Sequence, residues 1–277
     1  MTATVFRMAK NNIIILLSSY KMLMILIVAC ILPLNTIYQL KYIGLWNDLT
    51  ILDGLQYEFG LYTLHYLILI PLCIFVVCDL VKPSLIDNFL FFRVGSRHNL
   101  FISKMISCVI TSVFLLIVLI MTGLIILTFS FKIELRWGTS MLANQLQSGT
   151  LLNSSLFNLS PCLLILAQFI MVLFSFTGSS LILYLFMETI KRKAFALVAV
   201  FIINFFFLVV AKSSTKFFVL VPAANTFLAH ADIFTKGHVA FVIPLIYWVV
   251  INIALVSANF MVISKKDYLY EEAPEDE

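Results

Sequence analysis

The stretch Met105 to Phe131, MISCVITSVFLLIVLIMTGLIILTFSF, contains no Asp, Glu, Lys or Arg. A helix that crosses a bilayer needs about 20 mostly apolar residues, because every backbone polar group must be bonded within the segment. This stretch is long enough for such a helix, and Lys104 directly before it marks a boundary. The stretch therefore predicts a membrane-spanning α-helix.

The composition of the whole chain agrees with this prediction. Its 277 residues are 62% hydrophobic and 12% charged, whereas an ordinary soluble domain carries roughly 25% charged residues. A water-soluble fold is therefore excluded, and the 26 Phe and only 9 Gly favour long helices over the alternating strands of a barrel. The predicted fold is all-α, with six spans: Met22 to Leu40, Phe59 to Cys78, Met105 to Phe131, Pro161 to Met187, Ala194 to Ala211, and Val239 to Ser264.

The basic residues are distributed unevenly between the two sides of this arrangement. Six spans place both termini on one side, together with the loops 79–104 and 188–193. Of the 18 Lys and Arg residues, 12 lie on that side and 6 on the other. Since cytoplasmic segments carry the excess of Lys and Arg, the sequence predicts a multi-pass protein of the cell membrane with both termini in the cytoplasm.

The chain is predicted to form a single transmembrane domain over residues 1–277. Residues 1–20 are predicted to form a cytoplasmic interfacial helix, residues 22–264 the six spans, and residues 265–277 an acidic cytoplasmic tail. No stretch outside the membrane is long enough for a soluble domain of about 100 residues. Any energy source must therefore lie on another chain.

Polar side chains within the predicted spans are uncharged. Small or amide side chains let helices approach closely and form hydrogen bonds across an interface, so helix packing is one interpretation of them. Asn252 and Asn259, one heptad apart, fit that interpretation. His65, near the outer end of span two, is interpreted as a structural interfacial residue, with a proton relay as the alternative. The second interpretation is the wall of a substrate path, for which the candidates are Ser175, Thr177, Ser179 and Asn204.

The sequence lacks the common signatures of enzymes. It has no GxxxxGK[ST], HExxH or GxSxG pattern, and no pair of carboxylates within a predicted span. The five cysteines lie in or beside apolar runs without CxxC spacing, which predicts small apolar side chains and no metal site. We therefore expect no catalytic residue, no cofactor bound by this chain and no nucleic-acid partner. Because the spans contain no charge, an ion-coupled carrier is less favoured.

The predicted cytoplasmic loop from Lys82 to His98 has an amphipathic pattern. Leu85, Phe89 and Phe92 fall on one face of a helix that Gly95 ends. Two interpretations remain open. The helix either lies in the lipid interface, with Arg93 and Arg97 at phosphates, or docks into a groove on a cytoplasmic partner.

The order of apolar helix, Arg93, Gly95-Ser96-Arg97 and then Lys104 opening a long span resembles the cytoplasmic loop of type-2 ATP-binding-cassette (ABC) exporter permeases. The resemblance is in particular to small Gram-positive peptide-export and bacteriocin-immunity permeases, and it extends to the whole layout. Such subunits have an amphipathic N-terminal helix, six spans, a coupling helix between spans two and three, and a re-entrant hairpin before span six. Phe217 to Leu228, interrupted by Pro222, is the segment that would form this hairpin.

The resemblance implies a permease subunit with no ATPase chemistry of its own. ATP and Mg²⁺ would be bound by two copies of a separate cytoplasmic ATPase, and the permease would pair with a second copy or a sister permease in the lipid membrane. The residues that would contact the ATPase are Leu85, Phe89, Phe92, Arg93 and Arg97. The implied cargo is a hydrophobic or amphipathic peptide. The alternatives are a non-transporting immunity or sensor component, and a secondary carrier.

Overall fold

The computed structural model describes residues 2–42, 48–81, 97–139, 160–190, 192–212, 222–226 and 242–265. Within these ranges the chain is helical apart from short connections and one isolated β-bridge between Thr50 and Lys132. In chain order the helices are α1 (Thr2–Leu17), α2 (Lys21–Tyr42), α3 (Ile51–Gly60), α4 (Tyr62–Leu64, a π-helical turn His65–Leu69, and Ile70–Val81), α5 (Arg97–Thr128), α6 (Pro161–Thr189), α7 (Lys193–Lys212), α8 (Pro222–Thr226) and α9 (Val242–Lys265).

Five of the described helices are long and apolar enough to cross a membrane: α2, α5, α6, α7 and α9. They correspond to the predicted spans one, three, four, five and six, and they indicate a multi-pass membrane protein. Many of their large apolar side chains are exposed, among them Ile117 on α5 and Ile202 on α7. Exposed apolar side chains of this kind are favourable in contact with lipid and unfavourable in contact with water.

The second predicted span, Phe59 to Cys78, differs from the structure at its start. Phe59 belongs to α3, and α3 is bent by 65° relative to the helix His65–Val81. Helix α3 ends at Gly60, and Leu61 follows with extended backbone angles. The two helices together make either a sixth, broken span or a re-entrant segment, and the region includes Asp53 and Glu58, which the six-span prediction assigns to a loop.

Two finer predictions are tested in part. Residues 2–17 are helical as expected, and Ala9 and Leu16 of α1 are buried, but the position of α1 relative to a lipid surface stays a prediction. The predicted hairpin Phe217 to Leu228 lies mostly outside the described residues. Within it, Pro222–Thr226 forms the short helix α8.

Helix α6 lies at the centre of the bundle and packs most extensively against α9. Asn252 Nδ2 donates to the Phe174 carbonyl at 3.3 Å, and Asn259 Nδ2 donates to the Leu181 carbonyl at 3.0 Å. These contacts confirm the prediction that the two Asn residues bond across a helix interface. A Cβ placed on Gly178 between them would lie 3.0 Å from the Trp248 ring, so glycine permits the close approach.

The described residues define two ends of the bundle. At one end the start of α2 meets the end of α4 through an ion pair between Lys21 and Asp79 at 2.8 Å. We call it the loop end, because residues 82–96 connect α4 to α5 there. At the opposite end, the segment 48–53 pairs with the segment 130–139 through backbone hydrogen bonds. We call these two segments together the collar.

Candidate functional site

Three of the four residues predicted to line a substrate path lie together. Ser175, Ser179 and Asn204 border a cavity of about 20 Å³ between α6, α7 and α9, which is room for about one water molecule. Thr177 lies apart from this cavity and donates to the Leu173 carbonyl of its own helix at 3.0 Å. These side chains are brought together by packing, and a path for a larger cargo stays a prediction.

His65 connects this group to α4. The sequence interpretation places it at the outer interface, but its side chain is fully buried. Its Nε2 lies 2.9 Å from the Ser175 hydroxyl oxygen, and its ring stacks on Phe176 with the centroids 5.8 Å apart. The π-helical turn that begins at His65 inserts an extra residue into the helix, a distortion that is frequent at functional sites. No periodicity in the sequence indicates this turn.

Gln168 holds the bend between α3 and α4 in place. Its side-chain amide donates to the carbonyl of Phe59 at 3.3 Å and to the carbonyl of Thr226 at 2.9 Å. Phe59 also packs edge-on against Phe169, with ring centroids 5.0 Å apart. Since the last carbonyls of a helix have no partner within it, Gln168 supplies one where α3 ends. It thereby ties α3 and α8 to α6.

The collar is fixed by Asp53 and Gly138. Thr50 and Asp53 form a capping box at the start of α3, and Asp53 Oδ2 accepts from the backbone N–H of Thr50 at 2.8 Å and of Gly138 at 2.9 Å. The other oxygen, Oδ1, has no partner among the described residues. A Cβ on Gly138 would lie 2.2 Å from the Asp48 carbonyl oxygen and 2.6 Å from Asp53 Oδ2. This close approach requires glycine.

A surface ion pair reinforces the collar. The Lys132 ammonium donates to Asp48 Oδ1 at 2.6 Å, and the Thr139 hydroxyl donates to Oδ2 at 2.7 Å. The hydrogen bond from Lys132 has the largest effect on the pKa of Asp48. Together with those from Thr139 it lowers this pKa from its ordinary 3.8 to about 2. Asp48 itself has a positive φ of 70°, a backbone conformation that Asp adopts more readily than most residues.

Glu58 is the most unusual residue of the described structure. Its side chain is 0% exposed, and neither carboxylate oxygen has a hydrogen-bond partner among the described residues. It points at Gly123 of α5, where an added Cβ would lie 3.3 Å from Oε2. An ionised carboxylate in such a place costs several kcal/mol, and a neutral one without a partner still costs about 1 to 3 kcal/mol.

Glu58 lies near the collar and not at the middle of the bundle. Gly123 is five residues before the end of α5 at Thr128, a distance of about 7.5 Å along the helix axis. The same face of α3 carries Leu55, which contacts Gly123, and Gly54, which contacts Leu127 and Phe131. A carboxyl group therefore lies sealed in the α3–α5 contact, about one and a half turns below the collar.

The loop end contains a buried lysine, Lys21, whose charge has partners. Lys21 is 2% exposed, and its ammonium donates to the Phe75 carbonyl at 2.5 Å in addition to pairing with Asp79. Nearby, Asn12 of α1 donates to the Ser107 hydroxyl of α5 at 3.2 Å. The starts of α2 and α5, the end of α4 and helix α1 are therefore joined at this end.

The predicted ATPase-contacting residues are not placed by the structure. Leu85, Phe89, Phe92 and Arg93 lie outside the described residues, and Arg97 is described only as the first residue of α5. Among the described residues, no group of three or more His, Cys, Asp or Glu side chains is arranged to hold a metal ion.

Sequence reasoning missed Glu58, because a charged residue beside an apolar run predicts the boundary of a span. A signal for a helix at this place is nevertheless present: Thr50-x-x-Asp53 is a capping-box pattern ahead of an apolar stretch.

Comparisons of the chain with protein-family models, with curated proteins and with solved structures found no match.

Proposed function

We propose that this chain is the membrane-spanning permease subunit of an ATP-driven exporter. It works as a homodimer or with a sister permease, and two copies of a separate cytoplasmic ATPase bind ATP and Mg²⁺ and drive it. The cargo class, a hydrophobic or amphipathic peptide, follows from the resemblance of residues 82–104 and of the helix layout to ABC exporter permeases. The observation that carries the proposal is the attachment of the two helices that flank residues 82–96.

The two helices that flank this loop are both fastened to other helices. Asp79, two residues before the end of α4, pairs with Lys21 of α2. On the other side, α5 begins at Arg97 and is joined to α1 through Ser107 and Asn12. A push on the loop would therefore act on α1, α2, α4 and α5 together, which supports a role in coupling to an ATPase.

Helix α5 connects the loop end to the collar without a break. It contains 32 residues, so it is about 48 Å long at 1.5 Å per residue. Near its far end it contacts Gly54, Leu55 and Glu58 of α3. When the ATPase pair closes on ATP, a push on the loop would shift α5 along or across α3 and change the packing at the collar end.

A pull-down experiment tests this function. The double variant Phe89→Ser, Phe92→Ser should reduce the recovery of the ATPase with the tagged chain by well over tenfold. The reason is that burying one Phe at a well-packed interface centre is worth about 2 kcal/mol. The measurement is ATP hydrolysis that co-purifies from detergent extracts of native membranes at equal expression.

The matched control replaces two exposed apolar residues at the opposite end of the bundle, Phe129→Ser with Leu135→Ser. This control should recover as much ATPase as the unmodified chain. Equal recovery from the Phe89, Phe92 variant would remove the loop from the coupling role and favour the lipid-interface alternative. Absence of any co-purifying ATPase would favour a non-transporting component or a secondary carrier.

A secondary carrier is the second candidate, and Glu58 is the observation that favours it. Proton- and sodium-coupled carriers place ionisable groups in the membrane region, where they are expensive and kept for function. The predicted spans contain no Asp, Glu, Lys or Arg, but the bent pair α3 and α4 contains Glu58. Transport that continues in vesicles without ATP and stops in Glu58→Gln would support the carrier over the exporter.

A further inference from the structure

We propose that Glu58 is a proton-binding site that links the separation of α3 from α5 to the pH at the collar end of the bundle. This inference rests on the geometry of the α3–α5 contact and applies to an exporter and a carrier alike. Its failure would leave the ATPase pull-down unaffected.

The site fits a proton and no larger ligand, because the Glu58 carboxyl group is tightly enclosed and has no described hydrogen-bond partner. Glu58 is sealed against Gly123, and no described donor reaches its oxygens. A metal or ammonium ion needs several oxygen ligands, whereas a proton needs neither room nor further ligands. Burial without a compensating charge disfavours the ionised form, so the closed contact holds the carboxyl group neutral.

A second packing of α3 is implied by the same observations. In the described packing Glu58 contributes no hydrogen bond, and an apolar side chain would fit the contact better. The Glu58 carboxyl group can form hydrogen bonds with water only when α3 moves away from Gly123. Because Gly123 lies about one and a half turns from the end of α5, a separation at the collar is enough to admit water to the carboxyl group.

The direction of the pH dependence follows. The closed packing binds one more proton than the open packing, so raising the pH favours opening and lowering it favours closure. The other titratable groups on α3 and on the elements around it are Asp53 and Tyr57 on α3, His65 and Tyr66 on α4, and Tyr38, Lys41 and Tyr42 at the end of α2. Helix α6, which also packs against α3, has Cys162 in its first turn and none from there to Tyr184. Helix α5 has none between Cys108 and Thr128, and the collar adds Asp48, Lys132, Glu134 and Arg136.

Thiol labelling of residue 55 measures the opening. Leu55 is 3% exposed and contacts Gly123 beside Glu58, so Leu55→Cys reports water entering this contact. The full chain in lipid nanodiscs, with its five native cysteines replaced by Ala, is reacted with a membrane-impermeant maleimide between about pH 5 and about pH 8. The lower limit lies just above the pKa of about 4.3 of a glutamate in water.

The matched control carries Glu58→Gln in the same Leu55→Cys background. Dividing the labelling rate of the chain that retains Glu58 by the rate of this control removes the pH dependence of the thiol itself. The quotient should rise with pH by up to about tenfold per unit, the limit for release of one proton. A quotient that stays constant, or labelling that is absent from both chains at every pH, would overturn the proposal.

Infrared spectroscopy keeps the proposal testable if the cysteine variant fails to fold. The native chain at neutral pH should show the C=O stretch of a protonated carboxyl group. That band should disappear in Glu58→Gln and persist in Glu134→Gln, a control at a surface ion pair with Arg136. A band that is missing from the native chain, or unchanged in Glu58→Gln, would show that Glu58 holds no proton there.

Discussion

Asp53 and Glu58 lie five residues apart on α3, and both side chains are 0% exposed. One oxygen of Asp53 accepts backbone N–H groups from Thr50 and Gly138, and thereby joins the two segments of the collar. Glu58 faces the bare backbone of Gly123 and has no partner among the described residues. Burial of a carboxylate is therefore no guide to its role, and the partners decide whether it stabilises the fold.

The largest expected effect is the loss of Asp53. Asp53→Ala removes the capping box and leaves the buried N–H groups of Thr50 and Gly138 without an acceptor, which should lower the free energy of unfolding by about 3 kcal/mol. Thermal unfolding in detergent, followed by tryptophan fluorescence, measures the change. Trp137 in the collar is 5% exposed and reports on this region.

The control for Asp53 is Glu134→Ala, which breaks the surface ion pair with Arg136. Surface pairs contribute about 0 to 1 kcal/mol, so this variant should unfold nearly as the native chain does. If Asp53→Ala were as stable as the control, the collar would not depend on Asp53, and the contrast between the two carboxylates would be lost.

A substitution at Glu58 is expected to change the free energy of unfolding in the opposite direction. Glu58→Met replaces a buried polar group without a described partner by an apolar side chain of similar length, and it should raise the free energy of unfolding by about 1 to 3 kcal/mol. The same unfolding measurement applies. Glu58→Gln, which still buries an amide, should change stability less than Glu58→Met. Destabilisation by Glu58→Met would mean that Glu58 has a stabilising partner.

The smallest effect concerns Asp48 at the rim of the collar. Lys132 and Thr139 hold the pKa of Asp48 at about 2, below its ordinary 3.8. A lowered pKa contributes stability that is present above pH 3.8 and is lost as the pH falls through about 2. The native chain should therefore unfold at a higher temperature than Asp48→Asn near neutral pH, and the two melting curves should converge towards pH 2. A difference that does not depend on pH would contradict this.

The sequence predicts the fold well where a span ends at a charge. Lys21, Lys193 and Lys265 each stand at a helix end in the structure, whereas α5 begins at Arg97, seven residues before Lys104. The reason is that a charged side chain is costly in the apolar region and cheap at its edge. The packing of Asn252 and Asn259 was also predictable, since their heptad spacing places both on one face.

The broken second span was not predictable by the same rule. Asp53 is buried because Gly138, 85 residues later in the chain, donates to it, and no local pattern announces a partner at that separation. The bend at Gly60 likewise involves Gln168 of α6, which donates to the Phe59 carbonyl from 109 residues away in the chain. Glu58 matches the sequence pattern of a span boundary. The prediction of spans from charges assumes that a charged residue beside an apolar run lies in water, and Glu58 does not.

The two Asn contacts between α9 and α6 have a mechanical consequence. Residues 252 and 259 bond to carbonyls of residues 174 and 181, so donors and acceptors share one heptad spacing and both helices run in the same direction. Sliding one helix by a single turn would break both bonds. It would also move the Trp248 ring away from Gly178 and against residues that carry side chains. The two bonds therefore favour tilting or rotation of α6 and α9 together, and the proposed opening of α3 from α5 would leave both bonds intact.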